Sequence, residues 1–245
     1  MRILSTSDIH ANLAALEAVL ADAGEFDAWY NTGDCVGYGP QPSECIARLR
    51  DAGALWVAGN HERAATGAIS TAEFNPSAAA AAQWTKDRLS DEERAFLDSL
   101  PETAVANDFT LVHGTLSDPI WEYMDDYVAA RGHLRLQKTP FGLFGHTHVP
   151  AHVYENRKFQ EKCEIDDDLR AGAVVQLAGQ AKLALNPGSV GQPRDGDKRA
   201  SYGVIDTDAR TFTLHRVPYD IPQTQMLMAD AGLPGWLIDR LAVGR

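Results

Sequence analysis

Five short groups of residues in this chain combine carboxylate, imidazole and amide donors with glycine. They are Asp8-Ile9-His10, Gly33-Asp34, Gly59-Asn60-His61-Glu62, His113-Gly114 and Gly145-His146-Thr147-His148. The donors are oxygen and nitrogen only, a set that suits Mn²⁺, Fe, Zn²⁺ or Ni²⁺ rather than a thiolate-bound ion. Asp8 and His10 are two residues apart, as are His146 and His148. In an extended segment each pair points to one side, whereas on a helix two-apart residues diverge. Asp8, His10, Asp34, Asn60, His113, His146 and His148 are too many donors for one tetrahedral ion. They divide between two ions of higher coordination if one carboxylate bridges, and Asp34 is the candidate bridge. Two divalent ions outweigh Asp8, Asp34 and a bridging hydroxide, so the cavity keeps a positive charge suited to a phosphate anion.

These groups need elements to hold them. Residues 2–7 read as a strand, and 12–23 as a helix with Leu13, Leu16, Val19 and Leu20 at helical spacing and Gly24 as its stop. A second strand at 26–32, a helix from Pro42 to about Ala52 and a third strand at 54–58 complete a β-α-β-α-β rhythm, which predicts parallel strands. Residues 62–101 read as a helical insertion or cap. One helix there runs from about Pro76 to Leu89, and a second starts at Ser90 with Glu93 in a capping box. Further strands are expected at 102–113, 141–145, 151–155, 172–178, 182–186, 201–206 and 211–216, with a hairpin turn at Thr207-Asp208-Ala209. The acidic run Glu164–Asp168 reads as a solvated loop, and the tail from Ile221 as helical. Each donor group then sits in a loop just after a strand, where parallel α/β sheets bind ligands.

Composition narrows the function. The chain has 245 residues, of which 44% are hydrophobic and 23% charged, ordinary values for one globular domain spanning 1–245. The formal net charge of −12 disfavours non-specific nucleic-acid binding and argues against a nuclease. Three unevenly spaced cysteines, Cys35, Cys45 and Cys163, fit neither a disulfide framework nor a zinc-thiolate site and suit a reducing compartment. No apolar leader opens the sequence and no run of about 20 apolar residues occurs, so a cytoplasmic location away from membranes is expected. Oligomeric state is not legible.

The motif series D-x-H, GD, GNH, HG and GHTH, in that order over residues 8–148, resembles the calcineurin-like metallophosphoesterases. The segments 33–46, 112–124 and 186–197 are similar to small single-domain prokaryotic members of the phosphodiesterase and diadenosine-tetraphosphatase-like group. The resemblance implies an α/β fold of two mixed sheets packed as a sandwich, with helices on both outer faces. It implies that Asp8, His10 and His148 bind one metal, that Asn60, His113 and His146 bind another, and that Asp34 bridges. It implies hydrolysis of a phosphate mono- or diester by a hydroxide bridging two divalent ions. The substrate would be a small phosphorylated molecule, a nucleotide or a phosphoprotein. His61 would be the general acid or a transition-state donor. The third motif usually ends in Asp where this chain has Glu62, and an acid there is expected to orient or polarise His61. The alternative is a catalytically silent metal-binding scaffold of the same fold. The complete donor set and the presence of His61 weigh against it.

Three more residues have two readings each. Asn12 either binds phosphate or caps the first helix. Tyr38 either stacks on a substrate or packs. Arg194 either clamps phosphate through its two-pronged guanidinium or forms a surface salt bridge. His133, His152 and His215 read as ordinary core or surface histidines. Trp121 and Tyr123 read as core aromatics or pocket walls.

Overall fold

The computed structural model describes residues 1–155, 163–177 and 182–245. In chain order its elements are β1 (Arg2–Thr6), α1 (Leu13–Ala23), β2 (Ala28–Asn31), α2 (Pro42–Asp51), β3 (Leu55–Trp56), α3 (Asn60–Thr66), α4 (Pro76–Arg88), α5 (Asp91–Ser99), β4 (Thr103–Ala106), β5 (Phe109–Val112), α6 (Tyr127–Leu136), β6 (Phe141–Leu143), β7 (Ala151–Glu155), β8 (Cys163–Asp166), β9 (Val174–Gln176), β10 (Leu183–Asn186), β11 (Ala200–Asp206), β12 (Thr211–Val217), α7 (Ile221–Asp230) and α8 (Gly235–Asp239).

The strands form two mixed six-stranded sheets, ordered β3-β2-β1-β11-β12-β9 and β4-β5-β6-β10-β7-β8. Each holds a parallel trio: β1, β2 and β3 in the first, β5, β6 and β10 in the second. Side-chain alternation along the strands builds the layers. Ile3, Tyr30, Ile205 and Phe212 of the first sheet meet Leu111, Leu143, Leu183 and Leu185 of the second in a core between the sheets. Leu4, Trp29 and Trp56, on the opposite face of the first sheet, pack against Leu16 and Val19 of α1 and Ile46 and Leu49 of α2. Phe144, Val153 and Ala184 pack against Ala130 and Leu134 of α6. The result is the expected sandwich with helices on both outer faces. Each fully buried Leu or Ile is worth about 2 kcal/mol of transfer free energy.

Several expectations are corrected. The strand material expected at 102–113 is a hairpin, in which β4 turns at Asn107 and returns antiparallel as β5. The acidic run does not stay a loop: Glu164–Asp166 belong to β8 and pair with β7, their acidic side chains exposed on the solvent side. The strand expected at 172–178 shrinks to β9, and residue 178 lies outside the described residues. Asn60-His61-Glu62 are not loop residues but the first turn of α3. Gly59 is its N-cap and Gly67, at φ 85°, its stop. The capping box predicted at Ser90 and Glu93 is present.

Among the described residues, no helix is long and apolar enough to cross a membrane. Cys35, Cys45 and Cys163 are free and buried.

His133, on α6, is fully buried. Its Nδ1 accepts from the Leu116 amide (3.2 Å) and its Nε2–H faces Gln137 Oε1 (3.1 Å), so both nitrogens are used by a neutral ring. Burial pulls its pKa from 6.5 down to about 4. The unfolded chain takes up a proton below pH 6.5 that the folded chain refuses, so acidification destabilises the fold across pH 6.5 to 4. The loss should be roughly 2 kcal/mol by pH 5. Melting curves of wild type and His133→Gln should therefore converge on going from pH 7 to pH 5. Parallel curves would show that the ring titrates without cost.

Candidate functional site

The loops after five parallel strands converge at one end of the sandwich, and their backbones are bonded to each other. Asp8 N–H donates to the Gly33 carbonyl (3.0 Å), His10 N–H to Asp34 (2.9 Å) and Ala11 N–H to Cys35 (2.8 Å), so the loops after β1 and β2 continue the strands' pairing. On the other side Val190 and Gly191 donate to Ser7 and Asp8 (3.0 and 2.9 Å), and Gly145 donates to His113 (2.9 Å).

Asp8, His10, Asp34, His146 and His148 all have positive φ, between 50° and 66°. The pairs Asp8/His10 and His146/His148 therefore face one site through left-handed turns, not through extended alternation as the spacing suggested. A left-handed residue with a Cβ costs about 1–2 kcal/mol. Such strain persists only where the surroundings fix it, and it clusters at functional sites.

All seven expected donors come together, and each is at most 4% exposed. They form two groups. In the first, His148 Nε2 lies 3.3 Å from Asp8 Oδ1 and 3.2 Å from His10 Nε2. In the second, His113 Nε2 lies 3.0 Å from His146 Nδ1, 3.1 Å from Asn60 Oδ1 and 3.3 Å from Asp34 Oδ2. The same Asp34 Oδ2 is 3.7 Å from His10 Nε2, so one carboxylate oxygen reaches both groups. Asp34 Oδ1 is occupied separately by the His61 amide (2.9 Å).

The far nitrogen of each histidine meets a backbone carbonyl. His10 Nδ1 faces Val36 (3.0 Å), His113 Nδ1 faces Thr32 (2.8 Å), His148 Nδ1 faces Gln192 (2.6 Å) and His146 Nε2 faces Trp121 (3.2 Å). A carbonyl only accepts, so the hydrogen sits on that nitrogen; in the neutral rings of His10, His146 and His148 the other nitrogen turns a lone pair inward, the arrangement that orients metal-binding histidines.

Burial keeps most of these rings neutral: it pulls His10 and His148 well below the usual range, His146 to about 3 and His61 to about 4. His113 is the exception. Burial lowers it, but the Asp34 carboxylate outweighs that and raises it to about 9. Asp34 is held well below the usual carboxylate range, since His113 and His61 outweigh its burial. Burial, with Asp34 adding, pushes Asp8 up to about 7.

His61 lies beside the donors with its ring centroid 4.9 Å from His10, 4.3 Å from Tyr38 and 5.1 Å from Phe74. Its Nδ1 is buried without a hydrogen-bond partner. A Cβ at Gly37 would come within 2.1 Å of that nitrogen, so only glycine fits there.

Glu62 does not orient His61, and its expected role is corrected by its contacts. Its carboxylate accepts four backbone N–H groups: Gly59 and Asp34 on Oε2 (both 2.8 Å), Cys35 (2.7 Å) and Val36 (3.2 Å) on Oε1. It braces the first turn of α3 against the loop that carries Asp34. The longer side chain spans that gap. Its spacing from Gly59, three residues on, is a capping-box signal that also marks the start of α3.

Asn12 is the N-cap of α1: its Oδ1 accepts from Ala15 N–H (3.2 Å) and from Thr224 Oγ1 (3.1 Å), and its amide donates to Gly191 (3.0 Å). Tyr38 packs against His10 and His61 and is 7% exposed. Arg194 makes no carboxylate pair among the described ion pairs. It donates to Gln192 Oε1 (2.9 Å), its Nε has no partner, and its Cζ stands 5.9 Å from the Tyr38 ring centroid.

Residues not singled out also serve the site. Ser7 Oγ donates to Asp8 Oδ2 (2.6 Å), Ser189 Oγ donates to the Asp8 carbonyl (2.8 Å), and Asn186 donates to the Gly145 carbonyl (3.0 Å). Asn186 ends β10, the third strand of the second parallel trio, and Ser189 follows it; that position was the available signal. Tyr123 stacks on His146 with centroids 3.9 Å apart.

A two-sheet sandwich whose parallel strand ends gather aspartates and histidines is the setting of a phosphoesterase. The chain matches the calcineurin-like phosphoesterase superfamily domain over residues 1–210, and it belongs to that superfamily. It is 37% identical over 250 residues to an uncharacterized protein of Methanocaldococcus jannaschii, covering 98% of this chain and 96% of that one. The crystal structure of a metallophosphoesterase from Sphaerobacter thermophilus is similar with a TM-score of 0.90 at 45% identity, covering 100% of this chain and 99% of the other. A protein from Pyrococcus horikoshii shares the fold with a TM-score of 0.79 at 19% identity, covering 100% and 98%.

The side chains fit the divalent cations that the family implies. His10 and His148 turn lone pairs toward each other at 3.2 Å, an arrangement that repels until a cation lies between them. Asp8 Oδ1 points at the same place, buried and without a hydrogen-bond partner. Asp8, His10 and His148 are close enough to share one ion, and so are Asp34, His113 and His146.

Proposed function

We propose that the chain is a phosphoric ester hydrolase that uses two divalent cations, acting on a phosphate mono- or diester of a small molecule. The observation that carries the reading is the position of Asp34 Oδ2, 3.3 Å from His113 and 3.7 Å from His10, shared by both donor groups. Asp8, His10 and His148 would hold one cation, Asn60, His113 and His146 the other, with Asp34 common to both. When bound, such a pair supplies positive charge for the phosphoryl oxygens and lowers the pKa of water, so that a nucleophile exists near neutral pH.

The chain's own groups do the rest. The carbonyls of Val36, Thr32, Gln192 and Trp121 keep the imidazoles in the donor tautomer. Glu62 holds the backbone of Asp34, and Ser7 holds the Asp8 carboxylate. The neutral His61 ring carries one N–H, which it can direct at a phosphoryl oxygen. The negative charge of a phosphate beside it favours the protonated ring, which can pass a proton to the leaving oxygen. Arg194 supplies a guanidinium at the rim, without a carboxylate to neutralise it. The natural metal is one of Mn²⁺, Fe, Zn²⁺ or Ni²⁺, and the cytoplasm is its expected place of work.

The test is to strip the protein with a chelator and reload it with each of these ions in turn. Turnover of p-nitrophenyl phosphate and bis(p-nitrophenyl) phosphate should vanish on stripping and return on reloading, with about two metal ions bound per chain. Full activity in the stripped protein, or a loaded protein inert on both esters, would overturn the proposal. The second result would favour the silent scaffold.

A further inference from the structure

The loop from Thr115 to Met124 forms one wall of the second donor group, and it is closed on itself. Gly114 N–H donates to the Pro119 carbonyl (2.8 Å), Thr115 N–H donates to Asp118 (3.2 Å), and Thr115 Oγ1 donates to the Glu122 carboxylate. A Cβ at Gly114 would stand 2.8 Å from the Glu122 carbonyl, so the loop returns against the residue that follows His113. Two residues anchor its far end. The Trp121 carbonyl meets His146 Nε2 at 3.2 Å, and Met124 is buried in one cluster with Val112 and Phe144.

Tyr123 stands between these anchors. Its ring lies almost parallel over His146, with centroids 3.9 Å apart and planes at 23°. His146 covers one face of the tyrosine and is itself 3% exposed, yet Tyr123 is 43% exposed. The open area therefore belongs to the opposite face and the hydroxyl edge. That hydroxyl makes no hydrogen bond among the described residues. The wall continues toward His61: Trp121 meets Phe74 at 5.2 Å and Phe74 meets His61 at 5.1 Å, both close to edge-on. Of these rings Tyr123 is the one classed as exposed. A flat face held rigidly beside a phosphate site suits a flat ring on the same ligand. Every nucleobase has such a π-face, and stacking on one aromatic side chain is worth roughly 5- to 100-fold in affinity. A base on the outer face of Tyr123 lies two ring thicknesses from His146, and a ribose can bridge from there to a phosphate at the donor groups.

We infer that the outward face of Tyr123 is a base-stacking platform that selects nucleotides among phosphate esters. The platform rests on the phosphoesterase reading for its phosphate end, but its test measures binding and needs no turnover. The probes are the phosphonate analogues of AMP and of ribose 5-phosphate, in which CH₂ replaces the ester oxygen so that neither is hydrolysed. They differ by the base. Binding of each to Mn²⁺-loaded protein is measured by calorimetry, with Mn²⁺ in excess in both solutions.

Wild type should bind the AMP analogue at least tenfold more tightly than the ribose analogue. Tyr123→Leu should cut that preference below threefold while holding the ribose analogue within twofold of wild type. Tyr123→Phe should keep most of the preference, since the ring and not the hydroxyl makes the stack. Elemental analysis and melting temperature of each variant confirm that metal and fold are retained. A wild type that binds both analogues alike, or neither, overturns the platform, as does a Tyr123→Leu protein that keeps the preference. Equal loss of both analogues in Tyr123→Leu overturns it too, because the ring would then serve only to support His146. Failure of the phosphoesterase reading shows separately, as a metal-loaded wild type inert on both nitrophenyl esters.

Discussion

Asp34→Asn should reduce bound metal from about two ions per chain to one or fewer and lower turnover of p-nitrophenyl phosphate by at least a thousandfold. The size of the effect follows from the way the two oxygens are used. Oδ1 accepts the His61 amide N–H at 2.9 Å, and in the variant that position still requires an acceptor. The amide oxygen must therefore stay there, which turns the NH₂ group into the place of Oδ2. That atom is the one that faces both His113 and His10. A group with no lone pair then stands where both cations need one, and the buried negative charge that balances them is lost as well. Stability should change less than activity, because the amide retains the backbone bond that Asp34 makes. Elemental analysis together with steady-state kinetics checks the result. A variant with two ions per chain and near-normal turnover would remove Asp34 from the shared position.

The contrast between Asp34 and its surroundings shows what a sequence carries. Asp34 was legible because donor chemistry and strand-end placement are local: a carboxylate after an apolar strand, beside a glycine, needs no distant information. The same holds for β1-α1-β2-α2-β3, where helical and strand periods alternate cleanly, and for α5, whose cap is written in Ser90 and Glu93. Long-range pairing was not legible from the residues. β11 inserts antiparallel beside β1 from almost 200 residues away, and nothing in its own pattern separates a sandwich strand from one in a doubly wound sheet. Likeness to the family supplied that part.

Backbone sign was also hidden. Asp8 and His10 converge through left-handed turns fixed by hydrogen bonds from neighbouring loops, and a spacing of two cannot distinguish that from an extended pair. Glu62 was misread because its position beside His61 in the chain suggested contact, whereas the first turn of a helix sends adjacent side chains in different directions. Of its actual partners, four backbone amides from two loops, only Gly59 is signalled, by the capping-box spacing; the amides of Asp34, Cys35 and Val36 have no side-chain signature.

His61→Ala should keep both metal ions yet slow hydrolysis by about 10² to 10⁴, the range for loss of a positioned proton donor. Metal retention is expected because the ring does not belong to either full donor group, and the backbone N–H of residue 61, which binds Asp34, survives the substitution. The leaving group tells which role the ring has. Phenolate leaves poorly and gains from a proton, whereas nitrophenolate leaves well without one. A general acid therefore predicts a much larger loss on phenyl phosphate than on p-nitrophenyl phosphate. A ring that only donates a hydrogen bond to a phosphoryl oxygen predicts equal losses on the two. Because His61 packs between Tyr38 and Phe74, its removal leaves a cavity worth about 1–3 kcal/mol, and His61→Asn, which fills more of that space, should show the same kinetic pattern with less destabilisation. Turnover unchanged on both esters in a protein that holds its metals would rule out His61 as a participant, and would leave the two donor groups and Arg194 to account for catalysis alone.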